Sequence, residues 1–181
     1  MEFSSLGEQY LAIKRRLFDK YYSFLNDEQR EAVYTTDGSV LILAGAGSGK
    51  TTVLVNRIVF IVKYGNAYYS RYVPHDIDEK KVERLKAMQS LDMTELGEAL
   101  REFASAPCQP WQMLAFTFTN KAANEIKKRL GEALGNEDAA KSIWAGTFHS
   151  ICVRILRTYG GLRGYRDNFT IYDDGNITYN G

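Results

Sequence analysis

The chain has 181 residues, of which 45% are hydrophobic and 25% charged, the balance of an ordinary globular protein with one real core. Lys and Arg number 23 against 22 Asp and Glu, so a formal charge of +1 excludes a strongly basic nucleic-acid-coating protein. No apolar run reaches membrane-spanning length, and Met1 to Tyr22 mixes apolar and charged residues without a cleavage site, which argues against a span, a signal peptide or a membrane partner.

Leu6, Tyr10, Ile13, Leu17 and Tyr21 recur at steps of three or four and predict an amphipathic first helix. Asn26, followed three residues later by Gln29, predicts a second helix opened by a capping box. Ser39 to Leu43 is a short apolar run between Asp37-Gly38 and Gly45, the pattern of a buried parallel strand. Gly49 to Tyr64 follows as a helix apolar on most sides, which must pack under other layers. Residues 64–110 interrupt the alternation with an aromatic and basic stretch at Tyr68 to Tyr72. Two further helical segments follow there, Asp78 to Ser90 and Thr94 to Ala104, the second opened by an Asp92–Glu95 capping box. Met113 to Phe118 and Ser142 to Thr147 are strand candidates, each followed by a helix, Lys121 to Leu134 and Ser150 to Thr158. Phe169 to Tyr172 is one more extended piece. This alternation predicts an α/β fold with a parallel sheet, its ligands at the carboxyl ends of the strands. Cys108 and Cys152 are too few and too far apart for a metal site; they read as two partly buried thiols in a reducing compartment.

Ala44-Gly45-Ala46-Gly47-Ser48-Gly49-Lys50-Thr51 fits the phosphate-binding loop, with Ala in its first position. Small residues let backbone N–H groups close on phosphate oxygens, and the helix that follows adds its positive end. Lys50 is the candidate for the β- and γ-phosphates, and Thr51 for a magnesium ligand.

Four blocks in order resemble UvrD/PcrA/Rep-type superfamily 1 DNA helicases: Leu25 to Val33, the phosphate loop, Phe116 to Ile126, and Gly146 to Ser150. The resemblance implies a RecA-like phosphate-loop core, 1–63 and 111–181, carrying a helical insertion at 64–110 whose partner is unknown. It implies ATP and Mg2+ as cofactors and Lys50 as the catalytic lysine. The nucleotide contacts would be Gln29, Gly45, Ala46, Gly47, Ser48, Gly49, Lys50, Thr51 and Thr52. It implies contacts to single-stranded DNA or duplex junctions from Phe118, Thr119, Asn120, Lys121, Thr147, Phe148, His149 and Ser150. A 3′-to-5′ helicase or translocase of the bacterial cytoplasm or nucleoid is the parent so implied.

On the residues alone, several roles stay open. Gln29 could read adenine, since its amide both donates and accepts, or could complete the helix cap. Phe118 could stack on a base or be a core aromatic; His149 could touch DNA or be structural; Arg154 and Arg157 could be a solvated face or add phosphate affinity. Thr52 stands where close members of the family often have an adenine-stacking Arg, and the insertion is longer than the link expected of them. Asp173-Asp174 ends an apolar run, as a magnesium-binding carboxylate pair would, yet the family places that pair farther on, so a turn or helix cap is expected there. The chain then lacks that pair and the second motor domain, and is expected to bind nucleotide weakly and not to unwind DNA alone. The alternatives are a complete small phosphate-loop enzyme or kinase using Asp173 or Asp174, and a non-catalytic nucleic-acid-binding module.

Overall fold

The computed structural model describes residues 5–45 and 47–164. Phe169 to Tyr172, Asp173, Asp174 and Ala46 lie outside the described residues. Helices α1 (Leu6–Tyr21), α2 (Asp27–Tyr34) and α3 (Lys50–Tyr64) come first. Then come α4 (Glu79–Ala87) and α5 (Met93–Ala99), each continued by a 3-10 turn, Met88–Ser90 and Leu100–Phe103. Strand β1 (Leu114–Thr117), helices α6 (Asn120–Leu134) and α7 (Glu137–Ser142), strand β2 (Trp144–Thr147) and helix α8 (Phe148–Tyr159) complete the order. The result is α/β, mostly helical, with β1 and β2 paired in parallel, Leu114 opposite Trp144 through Thr117 opposite Thr147. Among the described residues no helix is long and apolar enough to cross a membrane.

Caps fix the helix starts. The Asn26 side chain accepts from Gln29 N at 2.9 Å while Gln29 Oε1 accepts from Asn26 N at 3.1 Å, closing the expected box. The Asp92–Glu95 box also forms at the start of α5. Ser142 ends α7 rather than opening a strand, because Asn136 caps the N–H groups of Asp138 and Ala139 at 3.0 Å and nucleates a helix there.

Two hydrophobic cores share one wall, α3. On one side Phe60 and Tyr64 meet Phe18 of α1 edge-on, at 5.5 and 5.3 Å between ring centroids, in a core that also takes in Leu85, Leu96 and Phe103 of the 64–110 stretch. On the other side Val55, Ile58 and Val59 pack with Ala115, Ile126, Leu130 and Ala145 of the strand-bearing part. The all-round apolar sequence of α3 is thus explained, since both its faces are covered. The 64–110 stretch closes at its base. Asn66 N donates to Ser105 O at 2.8 Å and Ser105 N to Tyr64 O at 3.0 Å. Gly65, at φ 61°, leaves room for a carbonyl that an added Cβ would meet at 2.0 Å.

One expected element is corrected. Residues 39–43 form no strand and are not buried: Leu41 is 84% and Leu43 86% exposed. A parallel strand is buried only when neighbours cover its edges and helices cover its faces. Among the described residues no strand pairs with this run, so its apolar pattern finds no sheet.

Candidate functional site

The phosphate loop turns on two left-handed glycines, Gly47 at φ 76° and Gly49 at φ 80°, conformations that L side chains resist. Gly49 caps α3 without any side-chain hydrogen bond, so the first N–H groups of a 15-residue helix are left for a ligand. Added Cβ atoms at Gly45 and Gly47 would meet nothing within 4 Å, so these glycines face open space. Lys50 Nζ donates to Ala44 O at 3.0 Å and Gly45 O at 2.5 Å, and Ser48 Oγ to Gly45 O at 2.7 Å. These bonds are exposed, so exchanging them for phosphate oxygens costs little.

Gln29 reaches this loop from α2. Its Nε2 donates to Ser48 O at 3.1 Å while its Oε1 holds the α2 cap. One amide hydrogen and one oxygen lone pair remain, which is the donor–acceptor pair an adenine edge requires. Cap and reader are therefore compatible roles. The placement is enforced from behind: Arg57 of α3 donates to the carbonyls of Ala32, at 2.6 Å, and Thr35, pinning the end of α2 against α3. A cleft of about 330 Å³ opens between these elements, lined by Gln29, Ala32, Ile42, Gly45, Lys50 and Val53 among others. Its lining mixes apolar Ala32, Ile42 and Val53 with polar Gln29, the acid Glu28 and the cation Lys50, the mixture of a small-molecule site. Thr52 is not in this lining; its carbonyl accepts from Asn56 Nδ2 at 2.9 Å. Thr51 is half-buried at the first turn of α3. Among the described residues no cluster of three or more His, Cys, Asp or Glu could hold a metal; the Thr51 hydroxyl is an oxygen of the kind that magnesium takes.

The second group of residues lies at the carboxyl ends of β1 and β2. Parallel pairing sets Thr117 beside Thr147 and so brings the two helix starts together. Thr119 Oγ1 caps α6 by accepting from Ala122 N at 3.1 Å, and Thr147 Oγ1 caps α8 by accepting from Ser150 N at 3.2 Å. Each cap uses an oxygen lone pair and leaves the hydroxyl proton, whereas Ser150 donates its own proton to Thr147 O at 2.9 Å. Asn120, Lys121 and His149 are exposed. Gly146 allows α8 to start close to the sheet, since a Cβ there would stand 2.6 Å from Ser150 Oγ.

Phe118 is fully exposed at 105%, which removes the core reading of that side chain. Phe148 is 62% exposed and stands 5.3 Å from Phe116, ring to ring. Phe116 was not among the expected site residues. The Phe-x-Phe spacing of 116 and 118 was the signal for it in the sequence, although Phe118 itself lies just beyond β1. Arg154 lies over the Trp144 ring at 4.2 Å, a cation–π contact that gives it a partner within the fold.

The sequence matches the family model described as the UvrD/REP helicase N-terminal domain over residues 25–73 and 96–179. It is 40% identical over 149 residues to the ATP-dependent DNA helicase PcrA of Leuconostoc citreum, covering 82% of this chain. It is 41% identical over the same length to the PcrA helicases of Staphylococcus aureus and Staphylococcus epidermidis. The chain spans 14% of the length of these relatives. With ordered blocks, a glycine-turned loop and this match in agreement, the chain belongs to the UvrD/REP helicase N-terminal domain family.

Proposed function

We propose that the chain is the ATP-binding, single-strand-DNA-contacting front part of an ATP-dependent 3′-to-5′ DNA helicase or translocase of the cytoplasm. In this reading 1–63 and 111–181 form a RecA-like phosphate-loop core and 64–110 a helical insertion, supported by the closure of that stretch at Gly65 and Ser105. The observation that carries the proposal is the cleft where a loop with left-handed Gly47 and Gly49, the uncapped start of α3 and the free half of the Gln29 amide converge.

Gly45, Ala46, Gly47, Ser48 and Gly49 cradle the phosphates, Lys50 neutralises charge on the γ-phosphate, and Thr51 ligates Mg2+. DNA lies across the paired strand ends. Phe118 and Phe148 stack on bases, and Thr119, Asn120, Lys121, Thr147, His149 and Ser150 meet the backbone.

Titrating the 181-residue chain with a fluorescent ATP analogue and with labelled oligothymidine tests this. Saturable Mg2+-dependent ATP binding that Lys50→Ala removes, with oligonucleotide binding that survives, is the expected result. Equal nucleotide binding in Lys50→Ala would sink the nucleotide reading. ATP turnover against small acceptors would favour a complete small kinase instead.

A further inference from the structure

Among the described residues two parts lie outside the family match: those before residue 25, which include helix α1, and residues 74–95. They pack on each other. Lys20 Nζ of α1 donates to Gln89 O at 2.6 Å and Leu91 O at 2.8 Å, and α1 also reaches the matched part, where Tyr10 meets Phe103 edge-on at 5.9 Å. Beside this contact lies a cavity of about 260 Å³ bordered by Tyr10, Lys14, Ser70, Tyr72, Glu102 and Phe103.

Lys14 is the unusual group. It is a lysine at 2% exposure in the wall of a cavity, the one charged residue that is buried among those described. Its Nζ donates to Ser70 O at 2.5 Å, which uses one of three N–H bonds. Among the described residues no carboxylate stands within ion-pair distance of it. The acid in the wall, Glu102, is held at 2.6 Å by Arg84. Tyr10 and Tyr72 border the same space, and each carries a phenol hydroxyl able to donate a hydrogen bond. A buried cation without a counter-charge is costly, by several kcal/mol on general grounds, and the natural remedy is an anion.

We propose that this cavity is a binding site for a small oxyanion, a phosphate or a short carboxylate, seated on Lys14 with the Tyr10 and Tyr72 hydroxyls as further donors. The volume suits such a ligand, being several times the roughly 30 Å³ of one water. Burial and the neighbouring Arg15 lower the Lys14 ammonium to about 8, so it is charged at neutral pH and responsive to a counter-charge. The site is separate from the phosphate loop and stands whether or not the chain binds ATP.

The test follows the Lys14 ε-methylene by NMR in the Lys50→Ala background, so that the phosphate loop does not contribute. The pH is titrated in sodium chloride, then at matched ionic strength with inorganic phosphate and, separately, with acetate or succinate. The expected result is a saturable rise of the Lys14 pKa by a unit or more with one class of oxyanion, weakened several-fold in Tyr72→Phe. Phosphate and carboxylate arms tell which class the site takes. Tyr72 is 65% exposed, so Tyr72→Phe is expected to fold even where Lys14→Met does not. A rise that chloride reproduces, that fails to saturate, or that Tyr72→Phe leaves unchanged would overturn the proposal.

Discussion

Gln29 carries two separable bonds, and a pair of substitutions pulls them apart. Gln29→Ala removes both the Oε1 acceptor for Asn26 N at 3.1 Å and the Nε2 donor to Ser48 O at 3.1 Å. Each is a partly exposed hydrogen bond worth about 0.5–1.5 kcal/mol, so a loss of roughly 1–2 kcal/mol is expected, because Asn26 still caps α2. Gln29→Glu keeps the acceptor and adds a negative charge to the first turn of α2, worth about 0.3–1 kcal/mol at a helix start. That gain offsets the lost bond to Ser48 O, so its stability is expected to stay within about 0.5 kcal/mol of the parent. Nucleotide binding should behave in the opposite way. The carboxylate turns an adenine-facing donor into an acceptor and sets a negative charge beside the phosphate loop. ATP affinity is expected to fall about tenfold or more, roughly 1.4 kcal/mol, with the preference for ATP over GTP lost. Urea denaturation of the three proteins gives the stability half, and competition of ATP and GTP against a fluorescent nucleotide gives the other. If Gln29→Glu binds ATP with unchanged affinity and selectivity, Gln29 is a cap and nothing more. If Gln29→Glu is as unstable as Gln29→Ala, the cap argument fails.

Phe118→Ala should leave urea stability within about 0.5 kcal/mol, since the side chain is fully exposed, while oligothymidine affinity drops by about 1–3 kcal/mol; equal affinity would remove Phe118 from the DNA path. Gly65→Ala should destabilise by about 3 kcal/mol. The left-handed φ of 61° is strained for Ala, and a Cβ 2.0 Å from Ser105 O must push away the backbone bonds that close the 64–110 stretch. A urea midpoint close to that of the parent would show that this closure is soft. Stability should also depend on pH in two directions. Lys14 has a folded pKa near 8, below the ordinary lysine value of 10.5, so between those values the unfolded chain holds the extra proton and stability rises with pH, on the order of 2 kcal/mol. Buried Tyr22, Tyr34 and Tyr64 and the partly buried Tyr68 are all pushed up by desolvation, Tyr68 to about 12, so above pH 10 the unfolded chain loses protons first and stability falls. Urea melts from pH 7 to 11 check both limbs; Lys14→Met should flatten the rise and keep the fall.

What could be read from the chain alone was what neighbours in sequence decide. The Asn26–Gln29 and Asp92–Glu95 boxes are local chemistry, and both helices begin where those residues say. The same local chemistry was present in Asn136-Glu137-Asp138 and announces α7, which the apolar pattern around Ile143 and Trp144 obscured. Residues 39–43 failed for the opposite reason: an apolar run reports that a strand wants partners on both edges, and pairing is non-local. Burial of charge is equally non-local. Lys14 falls on an amphipathic helix among Arg15, Arg16 and Lys20, and nothing in that spacing separates the one lysine that goes inside.

The site residues divide along the same line, and α3 is where the two halves meet. Its first turn supplies Lys50 and Thr51, which the loop pattern announces by itself. Its flanks decide where everything else stands. Arg57 fastens α2, and with it Gln29, to one side, while Val55, Ile58 and Val59 seat β1, α6 and β2 on the other. Lys63 adds a bond to Ala133 O at 2.9 Å, tying the far end of α3 to α6. A close-packed wall transmits displacement rather than absorbing it, because shifting one side chain moves every neighbour that fills the same space. The phosphate-loop cleft and the paired strand ends therefore share α3 as a common wall, though Lys50 and Phe118 lie about seventy positions apart in the sequence. Pattern alone gave each block its chemistry; the double-sided burial of α3 is what sets those blocks at fixed positions relative to one another.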